Sequence, residues 1–250
     1  MDMQFAAYFQ ERWAKYLPGA ELPICYYYTD RVAEADQRDS ENVERCLIGN
    51  LGRVRAGHAF VYAANTPGCA GGKRFTGYVQ TLRPNFDYFL SCGIPGKMEG
   101  ERYKKTPELA AATLQKFPAF EAPAKYLVFK RWDKLTAEEQ PLAVIFTAAG
   151  DVLSALFTLA NYDVADEHGV IAPMGSGCAS IISYPYREAQ AAAPRPVLGM
   201  FDVSARPCMP PDMLTFTVPL KRFEAMAHNM DESFFITHSW QLVRDRLPQA

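Results

Sequence analysis

Two cysteines stand in glycine-rich turns that lead into helix-forming sequence. Cys178 lies in Pro173-Met-Gly-Ser-Gly-Cys-Ala-Ser180 and Cys69 in Asn65-Thr-Pro-Gly-Cys-Ala-Gly-Gly72. A thiol at a helix start meets the positive end of the helix dipole and unpaired backbone N–H groups, and both favour the thiolate. Thiolates bind soft metals and attack electrophiles. The placement therefore suggests that Cys69 and Cys178 share one cavity. The plainer alternative is that each is a small buried residue beside a tight turn, the commonest fate of cysteine.

Cys46 follows Glu44-Arg45 on a segment expected to be helical as far as Arg53 and Arg55. If that helix turns its N-terminal half to the Cys69 loop, Cys46 becomes a third ligand; otherwise it is a core-facing position. Cys25, on a strand of tyrosines, reads as core. Cys92 and Cys208 sit in loops bounded by proline and glycine, and either could be a fourth ligand. Arg206, in Asp202-Val-Ser-Ala-Arg-Pro-Cys208, carries the planar fork that grips a carboxylate or phosphate through two parallel bonds. It equally suits a brace that pairs with Asp202. Gly71, Gly72 and Gly177 would offer backbone N–H groups to an anion, with Lys73 beside them.

No Cys-x-x-Cys, His-Glu-x-x-His, phosphate loop, nucleophile elbow or dinucleotide fingerprint is present. A metal site must therefore be assembled from distant positions. The chain has 250 residues, 49% hydrophobic and 22% charged, with 26 basic against 28 acidic side chains for a net charge of −2. That is the composition of an ordinary globular domain with a sizeable core, and it lacks the basic density that nucleic acid requires. The start, Met1-Asp-Met-Gln-Phe, has no signal-peptide character, and the longest apolar stretch, Val152 to Ala160, is too short to cross a bilayer. A cytoplasmic location with reduced thiols is expected.

The elements that must position these residues follow from periodicity. Phe5, Tyr8, Phe9 and Trp13 fall at helical spacing between Met3 and Tyr16. Further helices are expected from a cap at Ser40 to Arg55, from Thr106 to Phe117, from Val152 to Ala160, after Cys178, from Pro219 to His228 and from Ser233 to Arg246. Strands are expected at Pro23–Tyr28, His58–Tyr62, Lys125–Phe129, Leu142–Phe146, Gly169–Ala172, Val197–Phe201 and Leu214–Val218. Strands and helices alternate in the second half. One α/β or α+β domain over residues 1–250 is expected, with a mixed sheet and helices on its faces.

The run Cys46-x6-Arg53-x3-Gly57, then Cys69-Ala-Gly-Gly72 with Gly77, then Cys178, Arg206 and Pro219-x6-Met226, resembles the family called domain of unknown function 169. The resemblance extends from about Leu22 to Trp240 and is most specific from Cys46 to Gly77 and from Phe201 to Met226. It implies a single cytoplasmic domain in which Cys46, Cys69 and Cys178 match the family's recurring cysteines. The chain departs from the pattern at Arg55-Ala56, where the family has an alanine-arginine pair, and in the extra cysteines 25, 92 and 208.

Three readings of function compete. In the first, Cys46, Cys69 and Cys178 hold an iron–sulfur cluster with one iron left open, beside a site for a small anion. Zinc on the same thiols is a poorer variant, because structural zinc sites use close ligand pairs. In the second, a metal-free protein binds an anion through its glycine-rich turns and Arg206. In the third, the chain is a structural or assembly protein with core cysteines.

Overall fold

The computed structural model describes residues 1–40 and 43–248. In chain order the elements are α1 (Met3–Tyr16), β1 (Ile24–Thr29), α2 (Glu34–Asp39), α3 (Leu47–Arg55), β2 (Phe60–Ala63), α4 (Ala70–Phe75), α5 (Phe86–Leu90) and α6 (Pro107–Leu114). Then come β3 (Tyr126–Arg131), β4 (Ala143–Ala148), α7 (Gly150–Leu159), α8 (Tyr184–Ala189), β5 (Val197–Gly199), β6 (Leu214–Pro219), α9 (Leu220–His228) and α10 (His238–Arg244). A π-helical turn, Ala179–Ser183, leads into α8.

All six strands join one sheet in the order β2-β3-β1-β4-β6-β5. The strand pairs are antiparallel throughout, and an isolated bridge between Ile171 and Val197 runs parallel. The expected strand at Gly169–Ala172 reduces to that bridge.

Both faces of the sheet are covered, which is why its strands read as nearly continuous apolar runs. Successive side chains alternate between two cores. Cys25, Val128, Val144, Phe146, Phe216 and Val218 face one of them. There α1 lays Phe9 and Trp13 against Phe146, Phe223 and Trp132, mostly edge to face. Asp2 caps α1 by accepting from the N–H of Gln4 at 2.8 Å. Ile24, Tyr26, Tyr62, Leu127, Phe129 and Ile145 face the other core, together with Leu47, Ile48, Cys178 and Ile182 from α3 and the π-turn. Cys25 is thus core, on the side of the sheet away from Cys178.

Two expected helices start elsewhere. Ser40 ends α2 rather than opening a helix to Arg55, and α3 begins only after Cys46. Asn50 is the reason: it hydrogen-bonds residues 44–46 in a non-helical conformation. The helix expected from Ser233 to Arg246 divides into a 3-10 turn, Phe234–Ile236, and α10. Thr237 separates them, with extended backbone and a hydroxyl that accepts from the N–H of Trp240 at 3.3 Å.

Lys130 is an exception on the first face. It is 7% exposed and its ammonium lies 2.8 Å from Asp36 and 2.6 Å from Glu139. Burial alone would push the Glu139 carboxyl up, but the bonds from Lys130 and the Tyr27 hydroxyl outweigh it and hold its pKa below the usual range. A group whose folded pKa is depressed stabilises the fold above its unfolded pKa, roughly pH 4.3 for glutamate, and loses that contribution as pH falls. Lys130→Ala leaves the buried Asp36 and the half-buried Glu139 without their cation and should cost about 1.5–3 kcal/mol in urea unfolding at neutral pH. The variant's stability should also fall less steeply below about pH 4.3 than the parent's. Equal denaturation midpoints for parent and variant across the acid range would contradict this account of the network.

Candidate functional site

Cys46 is the first residue outside α3, with extended backbone at φ −83°, ψ 124°. Asn50, one turn into the helix and buried, fixes this start. Its side-chain oxygen accepts from the Glu44 N–H at 2.9 Å, and its amide donates to the carbonyls of Glu44 at 2.9 Å and Cys46 at 2.8 Å. The Arg45 carbonyl then takes the N–H of Cys69 at 3.2 Å, so the two cysteine loops are tied backbone to backbone. Cys69 in turn caps α4, its sulfur accepting from the Gly72 N–H at 3.2 Å. The space at Gly72 is tight: a Cβ would lie 3.1 Å from the Tyr62 hydroxyl, which would have to give by a few tenths of an ångström.

Cys178 lies in the first turn of the helix that begins at Gly177 and passes through the π-turn into α8. The buried Asp202 holds that start from outside, accepting the Gly177 N–H at 3.2 Å. The same carboxylate also accepts from the hydroxyls of Tyr103 and Ser204 and from the Ser204 N–H. Met200, just before this loop, takes a left-handed φ of 68° and donates its N–H to the Ser180 hydroxyl at 3.3 Å. The backbone is bent sharply to bring Asp202 to the helix start.

These three starts open onto one cavity of about 410 Å³, lined by Cys46, Cys69 and Cys178 together with Gly71, Gly72 and Gly177. Its apolar wall is Ile48, Phe75, Phe86, Phe89, Leu90, Phe117 and Met174, and Arg45, Arg83 and Lys104 bring positive charge. Cys208 lies outside the lining but against Cys46, within hydrogen-bonding reach of its thiol. Cys92 is exposed in the loop after α5 and takes no part in the lining.

Two other candidates are engaged elsewhere. The Lys73 ammonium donates to the carbonyls of Ala63, at 2.7 Å, and Thr66, and lies 4.5 Å from the centre of the Tyr62 ring. The Arg206 guanidinium donates to the carbonyls of Met213 at 2.5 Å, Pro210 at 3.1 Å and Pro211 at 2.7 Å. Both side chains brace their loops, and neither lines the cavity.

Sequence reasoning missed Asp202, Tyr103, Arg83, Lys104 and Tyr62. The only local signal was Arg83-x-x-Phe86-x-x-Phe89, which places a cation and two rings together on α5 and the residues before it. Tyr62 is 1% exposed, and its hydroxyl has no hydrogen-bond partner among the described residues. Burial raises its pKa, and the nearby Cys178, Cys69 and Cys46 raise it further.

The helix start does not make Cys178 a thiolate. Burial pushes its pKa well up, and the neighbouring Cys69, Cys46 and Asp202 add to the effect. Asp202 already occupies the Gly177 N–H and offsets the positive helix end, so the advantage expected from the dipole is cancelled. Among the described residues, no three His, Cys, Asp or Glu side chains are grouped so as to hold a single metal ion. No described helix is long and apolar enough to cross a membrane.

The family named domain of unknown function 169, described as an uncharacterised ArCR, matches residues 14–229, and the chain belongs to it. No curated protein and no solved structure matches the chain.

The thiol assignments predict an order of reactivity. With iodoacetamide near pH 8, the exposed Cys92 should be alkylated first and Cys178 at least about tenfold more slowly, since each unit of raised pKa removes a factor of ten in thiolate. Peptide mass spectrometry over a time course reads both rates. Equal rates would contradict a buried, protonated Cys178.

Proposed function

We propose that this member of the domain of unknown function 169 family holds an iron–sulfur cluster on Cys46, Cys69 and Cys178, at the inner end of a cavity that also admits a small anionic molecule. The supporting observation is the convergence of three thiols, from segments far apart in the chain and each at a helix start, on one open cavity. A chain whose cysteines were only core filler would have no reason to present three of them to the same space.

Three thiols drawn from separate segments suit a cluster better than structural zinc, whose ligands usually come in close pairs. Zinc needs all its sulfurs about 2.3 Å from one point, whereas the thiolates of a cluster bind different irons and stand further apart. When bound, the cluster would supply an iron without a cysteine ligand, open to a substrate atom. Cys208, against Cys46, is better placed than Cys92 to serve as a further ligand. The cysteines are unbridged, which fits a reducing, cytoplasmic setting.

The chain's own residues set how such a group would be loaded. Cys178 must lose a proton to become a ligand, and its raised pKa makes loading more favourable as pH rises. The metal-free reading through Arg206 and Lys73 is weakened, because backbone carbonyls hold both side chains.

Protein purified without oxygen, or reconstituted with ferrous iron and sulfide, should be brown and contain iron and acid-labile sulfide in matching amounts. Cys46→Ser, Cys69→Ser and Cys178→Ser should each lower the iron content severalfold while circular dichroism is unchanged, and Cys92→Ser should leave it at the parent level. A colourless preparation without iron after reconstitution would overturn the proposal.

A further inference from the structure

The cavity carries a charge and a shape that its thiols do not explain. Three cationic side chains line it, against one carboxylate. That carboxylate, Asp202, already accepts four hydrogen bonds, from Gly177, Tyr103 and Ser204, and has no direct contact with the three cations. Arg45, Arg83 and Lys104 form no ion pair among the described residues. The chain as a whole is weakly acidic at −2, so this local positive charge is not a reflection of general basicity. Cations gathered in a cleft with apolar walls focus the field and raise the local concentration of anions.

The wall beside these cations is aromatic. Phe86 and Phe89 stack with centroids 5.5 Å apart, and the Arg83 guanidinium lies 4.0 Å from the centre of the Phe89 ring. Stacking holds that guanidinium in place while its N–H edge stays available to an anion. Lys104 is fixed to the same lobe by a backbone bond from its N–H to the Leu90 carbonyl at 3.0 Å. Phe117 and Phe75 pack edge to face, 5.8 Å apart, and extend the ring surface. A volume of about 410 Å³ lies in the range of small-molecule sites.

We infer that this cavity binds an aromatic organic anion, of the aryl carboxylate class, with its ring against Phe86, Phe89 and Phe117 and its acid group held by Arg83 and Lys104. The inference deepens the function proposed above by naming the class of the anion. It rests on that reading for the cavity being the working site, and it does not depend on which group the thiols hold. A flat ring suits the stacked wall, and a charged end is needed because the cations lack a partner. A neutral aromatic would leave the cations unpaired, and an aliphatic acid would lose the stacking.

The test uses the full chain, metal-free and kept reduced, titrated with 2-naphthoate by calorimetry. Two comparison compounds separate charge from shape: 2-naphthalenemethanol keeps the rings without the charge, and cyclohexanecarboxylate keeps the charge without the rings. Naphthoate should bind at least about tenfold more tightly than either, in line with the worth of a hydrogen bond to a charged group. Arg83→Gln and Lys104→Gln should each weaken naphthoate severalfold without changing the melting temperature or the affinity for the alcohol. Equal affinity for acid and alcohol, no binding of naphthoate, or unchanged binding in both charge variants would overturn the inference. A protein that takes up iron and sulfide but not naphthoate would refute the ligand class alone. One that binds naphthoate but never iron would refute the cluster alone.

Discussion

Asn50 is a polar side chain almost wholly inside the protein, and the site depends on where it points. By bonding the backbone of Glu44 and Cys46 it satisfies groups that a helix would otherwise have satisfied, and so keeps residues 44–46 out of the helix. Cys46 thereby becomes the residue before a helix instead of one inside it. The carbonyl of Arg45 is left free to accept from Cys69, which fixes the second thiol loop against the first. Asp202 does the same work for the third, accepting the Gly177 N–H directly. The three thiols are positioned by buried hydrogen bonds, each made by a side chain or backbone group with a defined direction. Apolar packing alone would not give that precision, because it is non-directional.

The two faces of the sheet divide the demands on the fold. One is packed with interlocking aromatic rings from α1, β4 and α9 around Trp132. The other surrounds the cavity and tolerates features that weaken a core. Met200 has a left-handed backbone, the π-turn interrupts the helix after Cys178, and the hydroxyl of Tyr62 is buried without a partner. An unsatisfied buried hydroxyl costs about 1–3 kcal/mol.

Much of the fold was legible because its signals are local. The spacing of Phe5, Phe9 and Trp13 and the Thr106-Pro107 start are written in adjacent residues, and α1 and α6 begin where they indicate. The break before Cys46 was not legible, since it comes from the buried side chain of Asn50 four residues further along. The three cysteines were recognisable as candidates from their turns, but their common cavity is a product of topology. Asp202 stood in view as the partner of a nearby arginine, whereas it accepts the Gly177 N–H and leaves Arg206 to a turn of its own. Charge was equally hidden: nothing in the sequence signals that Arg83 and Lys104 line the same cavity as the thiols. The thiolate expected at Cys178 failed because burial and Asp202 outweigh a helix end.

The central claim is that Cys46, Cys69 and Cys178 share one space, and a short bifunctional thiol reagent measures this directly. In a Cys92→Ser, Cys208→Ser background, 1,2-ethanediyl bis-methanethiosulfonate should join the peptides containing Cys46, Cys69 and Cys178 in pairwise combinations, leaving Cys25 unmodified in the folded chain. Tandem mass spectrometry identifies the linked peptides. Detection of these links under native conditions, and their loss in urea, is the result expected of a shared cavity. If native protein gives only single adducts at each cysteine, the three thiols do not face one another and the account of the site is wrong.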